Sequence, residues 1–161
     1  MFKLLKKEKE ETKELKAFVS GNLIPIEAVP DEVFSKKILG DGMAIWPDEG
    51  KLYAPADARV SLVMTDSNHA CGLEFNNKIQ ILLHIGIDTV DMNGTGFKLH
   101  VKEGQKVKAG QLLISFDREE IKKAGYKDIV MMVITENPMN IPVEMVTGKV
   151  VVAKETMIMS M

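Results

Sequence analysis

From residue 17 onward the apolar positions come in short, β-branched runs broken by Gly, Pro, Asn and Asp. That rhythm marks an all-β chain. It predicts strands over 23–28, 43–46, 51–54, 58–64, 70–75, 79–85, 98–101, 112–116, 129–135 and 150–153. The run from Ile79 to Ile85 is apolar at nearly every position, so it belongs at the centre of a sheet with both faces covered. One stretch departs from the pattern. Residues 118–124 have helical spacing, and Asp117 stands where its carboxylate can accept from the first free N–H groups. Pro30 to Phe34 fits a single helical turn. Between Val101 and Leu112, Gly104 and Gly110 fall six residues apart among valines, which predicts tight turns in backbone conformations closed to residues with a Cβ.

The first sixteen residues read differently. They hold six Lys and four Glu, with Phe2, Leu4, Leu5 and Leu15 as the large apolar residues. No apolar stretch follows the basic start, so this segment does not read as a secretory signal. The segment 1–16 reads as a flexible, charged, partly helical tail preceding one folded domain over 17–161. A sharper alternative is a short amphipathic anchor, with Phe2, Leu4 and Leu5 making weak peripheral contact with a membrane.

Composition narrows the function classes. A chain of 161 residues with 45% hydrophobic and 27% charged residues builds one ordinary core. Its longest apolar run, Ile129 to Ile134, is far too short for a membrane-spanning helix. With 21 Lys and Arg against 23 Asp and Glu, the chain lacks the basic excess that a nucleic-acid phosphate backbone demands. The single cysteine, Cys71, forms no internal disulfide and supplies no thiolate cluster for a structural metal, which suits a reducing, cytoplasmic setting. No phosphate-cradling glycine loop, serine nucleophile elbow or H-E-x-x-H zinc motif is present.

The candidate chemistry therefore falls to three histidines. His69 and His84 stand fifteen residues apart, each among apolar neighbours, with a turn at Asn76-Asn77-Lys78 between them. Two antiparallel strands joined by that turn bring the rings to neighbouring positions. An ionisable ring in apolar surroundings needs a partner. Three readings follow: two structural histidines bonded to backbone carbonyls, a metal site needing Asp88 or Glu74 as a further ligand, or a phosphoryl carrier. In the last, one neutral imidazole attacks a donated phosphoryl group while the other stabilises it. His100 reads as a surface residue.

The segments Asn68-His69-Ala70, His84-Ile85-Gly86-Ile87-Asp88-Thr89-Val90, Asn93-Gly94-Thr95-Gly96-Phe97 and Glu103-Gly104-Gln105-Lys106-Val107 resemble, in order and spacing, the glucose-type enzyme IIA of the bacterial phosphoenolpyruvate-dependent sugar phosphotransferase system. So do Val29-Pro30-Asp31, Val33-Phe34 and Gly40 to Ile45 upstream. The resemblance runs from about residue 20 to 152. It implies an antiparallel β-sandwich or barrel with Greek-key and jelly-roll connections and one short helix. It implies a histidine phosphocarrier that accepts from phospho-HPr and donates to the IIB domain of a sugar permease. His84 matches the phosphorylated histidine and His69 the histidine that supports transfer. Gly86 offers the carbonyl that orients the His84 ring, and Ser67 stands near His69. Asp31 and Asp88 match acidic residues that face basic partners, while Val33, Phe34, Ile38 and Leu39 match the apolar apron around the site. No cofactor is obligatory; a zinc ion held by His69 and His84 and shared with a partner's carboxylate is compatible. A regulatory module that docks transporters or kinases, switched by phosphorylation, is the alternative function. A zinc hydrolase on a related barrel would need an H-x-H pair that the chain lacks.

Overall fold

A computed structural model describes residues 10–161. Along the chain run β1 (Glu14–Lys16), β2 (Gly21–Pro25), β3 (Gly42–Pro47), β4 (Lys51–Tyr53), β5 (Ala58–Val63), β6 (Ala70–Glu74) and β7 (Gln80–Ile87). They are followed by β8 (Phe97–Leu99), β9 (Lys106–Val107), β10 (Leu112–Phe116), β11 (Lys127–Glu136), β12 (Glu144–Met145), β13 (Lys149–Val151) and β14 (Met157–Ser160). Two short helices interrupt them, α1 (Glu32–Ser35) and α2 (Arg118–Lys123). The largest sheet has eight strands in the order β13-β2-β3-β11-β7-β6-β5-β9, and two three-stranded sheets, β4-β10-β8 and β1-β14-β12, complete the domain. All pairs are antiparallel. Strands β5, β6 and β7 form consecutive hairpins and β9 returns beside β5, which is a Greek key.

Side chains on the two faces of the large sheet feed two apolar clusters. The main core lies beneath its inner face, where Leu23, Met43, Ile45, Leu73, Ile81, Leu83, Ile85 and Met132 meet Phe18, Leu52, Leu113 and Ile114 from the other strands. The second, smaller cluster lies on the outer face, around Ala44, Ile129, Met131 and Val133 under Ile26, Val29 and Phe34. Fully burying a large aliphatic or aromatic side chain stabilises by roughly 1.5–3 kcal/mol, so the main core supplies most of the folding energy. As its apolar run predicts, β7 is central, between β11 and β6.

Several expectations need correction. Residues 1–16 are not all tail: Glu14–Lys16 is strand β1, paired with β14, and Leu15 is fully buried. Ahead of it, Thr12 donates to Asn76 Oδ1 from both its N–H and its hydroxyl, at 2.7 and 2.8 Å. The anchor residues Phe2, Leu4 and Leu5 lie outside the described residues. There are two short helices rather than one; the turn at Pro30 to Phe34 is realised as α1, and Asp117 caps α2 by accepting from Glu119 and Glu120. The strand expected over 23–28 ends at Pro25, and Ile26–Ala28 tightens into a 3₁₀ turn. Among the described residues no helix is long and apolar enough to cross a membrane.

Candidate active site

Strands β6 and β7 set Ala70 opposite His84. Burial alternates along β7, with Ile81, Leu83 and Ile85 turned into the main core and Leu82 and His84 turned outward. His69 precedes the strand. The chain reaches it through Asn68, which adopts a left-handed φ of 54°, and the Ile85 N–H donates to the His69 carbonyl at 2.8 Å. The small Ala70 leaves room, and the His69 ring stands edge-on to His84 at an interplanar angle of 88° with centroids 4.7 Å apart. The hairpin thus joins the two histidines, as their spacing around the turn predicts.

The His84 ring is fixed on both sides. Its Nδ1 lies 2.9 Å from the Gly86 carbonyl oxygen. A carbonyl only accepts, so Nδ1 carries the proton and Nε2 keeps its lone pair. The carbonyl reaches back because Gly86 has φ +79° and sits opposite a β-bulge, where the β7–β11 register slips between Lys127 and Val130. A Cβ there would stand 2.3 Å from Thr89 Cγ2 and 2.8 Å from the Lys127 carbonyl oxygen, so the backbone requires glycine twice over. Phe34 packs against the ring with centroids 5.1 Å apart. Burial, with the neighbouring His69, pushes the His84 pKa down to about 4, against the opposing pull of the Gly86 carbonyl and Asp31. Burial lowers that of His69 too. Both rings are therefore neutral near pH 7.

His69 is 2% exposed, and its Nδ1 lies 2.8 Å from Ser67 Oγ. Asp31 caps α1, its Oδ1 accepting from the Val33 N–H at 3.0 Å, and is close enough to His84 to favour the protonated ring. Asp88 follows the bulge with φ 61° and projects into solvent. Val33, Ile38 and Leu39, on α1 and the loop closing it, are 41%, 66% and 41% exposed and form an open apolar rim. Phe34 is different. The resemblance puts it in the apron, but at 4% exposure it is a packing residue of the outer cluster and a wall of the His84 ring. On a helix of four residues, sequence spacing cannot tell the buried from the exposed of two adjacent apolar side chains.

The outer cluster adds further residues around the site. Trp46, Leu82 and Ile87 are partly buried against it, and Val90 is exposed just beyond Asp88. Alternation along β7 puts Leu82 on the same face as His84. The metal reading is corrected in one respect: among the described residues no third His, Cys, Asp or Glu joins the two histidines. Glu74 lies opposite Gln80 at the far end of the hairpin, and its carboxylate is 3.9 Å from Lys78. The pair does suit a metal through two ligands, since each Nδ1 is engaged and each Nε2 is left for coordination. His100 is exposed, its Nε2 2.7 Å from Ser115 Oγ, and Cys71 is buried with its thiol pKa pushed up to about 12.

The site sets a neutral, oriented imidazole in an apolar collar with a second imidazole edge-on to it, an arrangement chemically able to pass a group through a ring nitrogen. Comparison with known proteins makes the class specific. The chain belongs to the phosphoenolpyruvate-dependent sugar phosphotransferase system EIIA 1 family, whose model matches residues 13–139. It is 31% identical to the glucose permease IIA from Mycoplasma capricolum, with a TM-score of 0.84 over 94% of this chain and 96% of that one. Two crystal forms of Helicobacter pylori Csd3 overlap more loosely. They are 15% and 11% identical, with TM-scores of 0.39 and 0.38 over 80% and 90% of this chain and 32% and 37% of theirs. The protein is thus a IIA component of the phosphotransferase system, with a phosphocarrier role in sugar phosphotransfer.

Proposed function

We propose that His84 accepts the phosphoryl group from phospho-HPr and passes it to the IIB domain of a sugar permease, glucose or a related sugar being the substrate. The observation that carries this reading is the Nδ1–H of His84 held on the Gly86 carbonyl, which leaves the Nε2 lone pair as the nucleophile. That lone pair forms the new N–P bond. The donor's N–P bond breaks, and its electron pair returns to the donor's ring nitrogen. The His84 ring gains positive charge, which the Gly86 carbonyl stabilises, and onward transfer reverses the same steps. His69 stands beside the moving phosphoryl group and balances its oxygens; Ser67 holds the His69 ring.

The collar has a purpose in this chemistry. Apolar walls at Phe34, Leu82 and Ile87 keep water from competing with the true acceptor. The rim of Val33, Ile38, Leu39 and Val90 gives partners a flat apolar landing, and Asp31 and Asp88 supply charge for basic partners. A reaction with HPr places the protein in the cytoplasm. Zinc, if bound, would use the Nε2 atoms of His69 and His84 and draw its remaining ligands from water or a partner's carboxylate. The test is incubation with phosphoenolpyruvate, enzyme I and HPr, followed by intact mass. One phosphoryl group is expected on the wild-type protein and none on His84→Ala, and full labelling of the variant would reject the assignment.

A further inference from the structure

Thr89 is a fully buried polar residue that the transfer chemistry above does not use. Its hydroxyl donates to the Ile85 carbonyl. Ile85 is the residue between His84 and Gly86, and its N–H is bonded to the His69 carbonyl. Thr89 also lies flush against Gly86, since its methyl carbon is the nearest atom to the place a Gly86 Cβ would take. The chain returns this far because Asp88 is left-handed and Thr89–Met92 forms a 3₁₀ turn. One threonine side chain thus touches the two residues that follow His84. It does so where the β7–β11 register slips and the regular ladder no longer holds the backbone.

We propose that Thr89 is a positioning residue for phosphoryl transfer: its hydroxyl fixes the Ile85–Gly86 peptide so that the Gly86 carbonyl keeps the proton of His84 on Nδ1. The proposal rests on His84 being the phosphoryl acceptor. Without the hydroxyl, the Ile85 carbonyl is left in a dry site with no donor from this side chain, and an unsatisfied buried acceptor drives the peptide to rotate toward another. Rotation swings Gly86, and His84 loses its acceptor. A neutral imidazole released in this way distributes its proton over both nitrogens, and the form with the proton on Nε2 has no lone pair at Nε2 with which to attack. The hydroxyl carries the requirement, through Ile85, while the methyl only packs against Gly86. Valine keeps the shape without the bond, and serine keeps the bond without the methyl.

The test compares wild type, Thr89→Val and Thr89→Ser, uniformly labelled with ¹⁵N. Long-range proton–nitrogen spectra read the tautomer of His84, and single-turnover transfer from phospho-HPr reads the rate. Wild type is expected to show one tautomer with Nδ1 protonated. Thr89→Val is expected to show a mixture. Its maximal rate is expected to be lower by on the order of 10–100-fold, the range seen when groups that orient metal-ligating histidines are removed. The half-saturating concentration of phospho-HPr stays the same, because the docking surface is untouched. Thr89→Ser is expected to restore the single tautomer and most of the rate. A wild-type tautomer and rate in Thr89→Val would overturn the proposal. So would a mixed tautomer in Thr89→Ser, which alone decides the matter should Thr89→Val not fold. His84→Ala runs in parallel: if it still takes up phosphate, the acceptor assignment fails, whatever the Thr89 variants do to the tautomer.

Discussion

Replacing Gly86 by alanine puts one methyl group where the backbone leaves no room. The residue's φ of +79° lies in the left-handed region, which costs a residue with a Cβ about 1–2 kcal/mol. The new Cβ would lie 2.3 Å from Thr89 Cγ2 and 2.8 Å from the Lys127 carbonyl oxygen. Neither contact is at the end of a long flexible side chain: Thr89 is fully buried, and the Lys127 oxygen belongs to backbone. Relieving that overlap in a packed interior costs about 1–3 kcal/mol more. Gly86→Ala is therefore expected to lose about 2–5 kcal/mol of stability, measured by urea unfolding with an unchanged m-value. The backbone shift that relieves the clash also moves the Gly86 carbonyl off His84 Nδ1, now 2.9 Å away. Below the unfolding transition, the folded fraction should therefore take up phosphate more slowly than wild type. A variant as stable as wild type that accepts phosphate at the same rate would refute both the steric argument and the role given to this carbonyl.

Other substitutions separate packing from chemistry. Phe34→Ala removes a buried ring that walls His84, so it should cost about 3–5 kcal/mol in chemical denaturation; a loss below 1 kcal/mol would mean that the ring is exposed docking surface after all. His69→Gln keeps a donor but cannot carry a proton, and is expected to leave uptake on His84 nearly intact while slowing onward transfer; equal loss in both half-reactions, measured with purified HPr and IIB, would assign His69 to holding the site together. The His84 pKa falls from an ordinary 6.5 to about 4 on folding, so the folded state favours the neutral ring. Its contribution, up to about 3 kcal/mol, is complete above pH 6.5 and is lost as pH falls toward 4. His84→Gln should therefore flatten the pH dependence of stability between 6.5 and 4, and parallel curves for the two proteins would contradict the buried, neutral ring.

The parts of this molecule that were legible in sequence are those whose signal is local. The unbroken apolar run from Ile79 to Ile85 identified the central strand, Asp117 identified the start of α2, and the Asn76–Lys78 turn was enough to bring His69 to His84. The missed strands are β1, β9, β12 and β14, each two to four residues long. Strands that short have no measurable alternation, and pairing with distant partners makes them strands. β1 shows the difficulty: Glu14-Leu15-Lys16 alternates correctly, but the Lys and Glu before it read as a solvated tail, and only pairing with β14 at the other end of the chain buries Leu15. Thr89 escaped notice for a related reason. A threonine in a turn is ordinarily a surface residue, and its reach back to Ile85 depends on the left-handed Asp88. The two histidines stand out because a histidine on an apolar strand is out of place without a function or a partner. The residues alone leave a structural pair, a metal site and a phosphoryl carrier open, and only the family resemblance favours the last.

The central claim is that the phosphoryl group is carried on Nε2 of His84, with Nδ1 protonated against the Gly86 carbonyl. Phosphorylating the ¹⁵N-labelled protein with phosphoenolpyruvate, enzyme I and HPr, and recording the nitrogen–phosphorus coupling in its histidine spectrum, tests this most directly. The account predicts a single coupled nitrogen, Nε2 of His84, with Nδ1 still bearing its proton and with His69 and His100 unmodified. Coupling at His84 Nδ1, or at any nitrogen of His69, would contradict it.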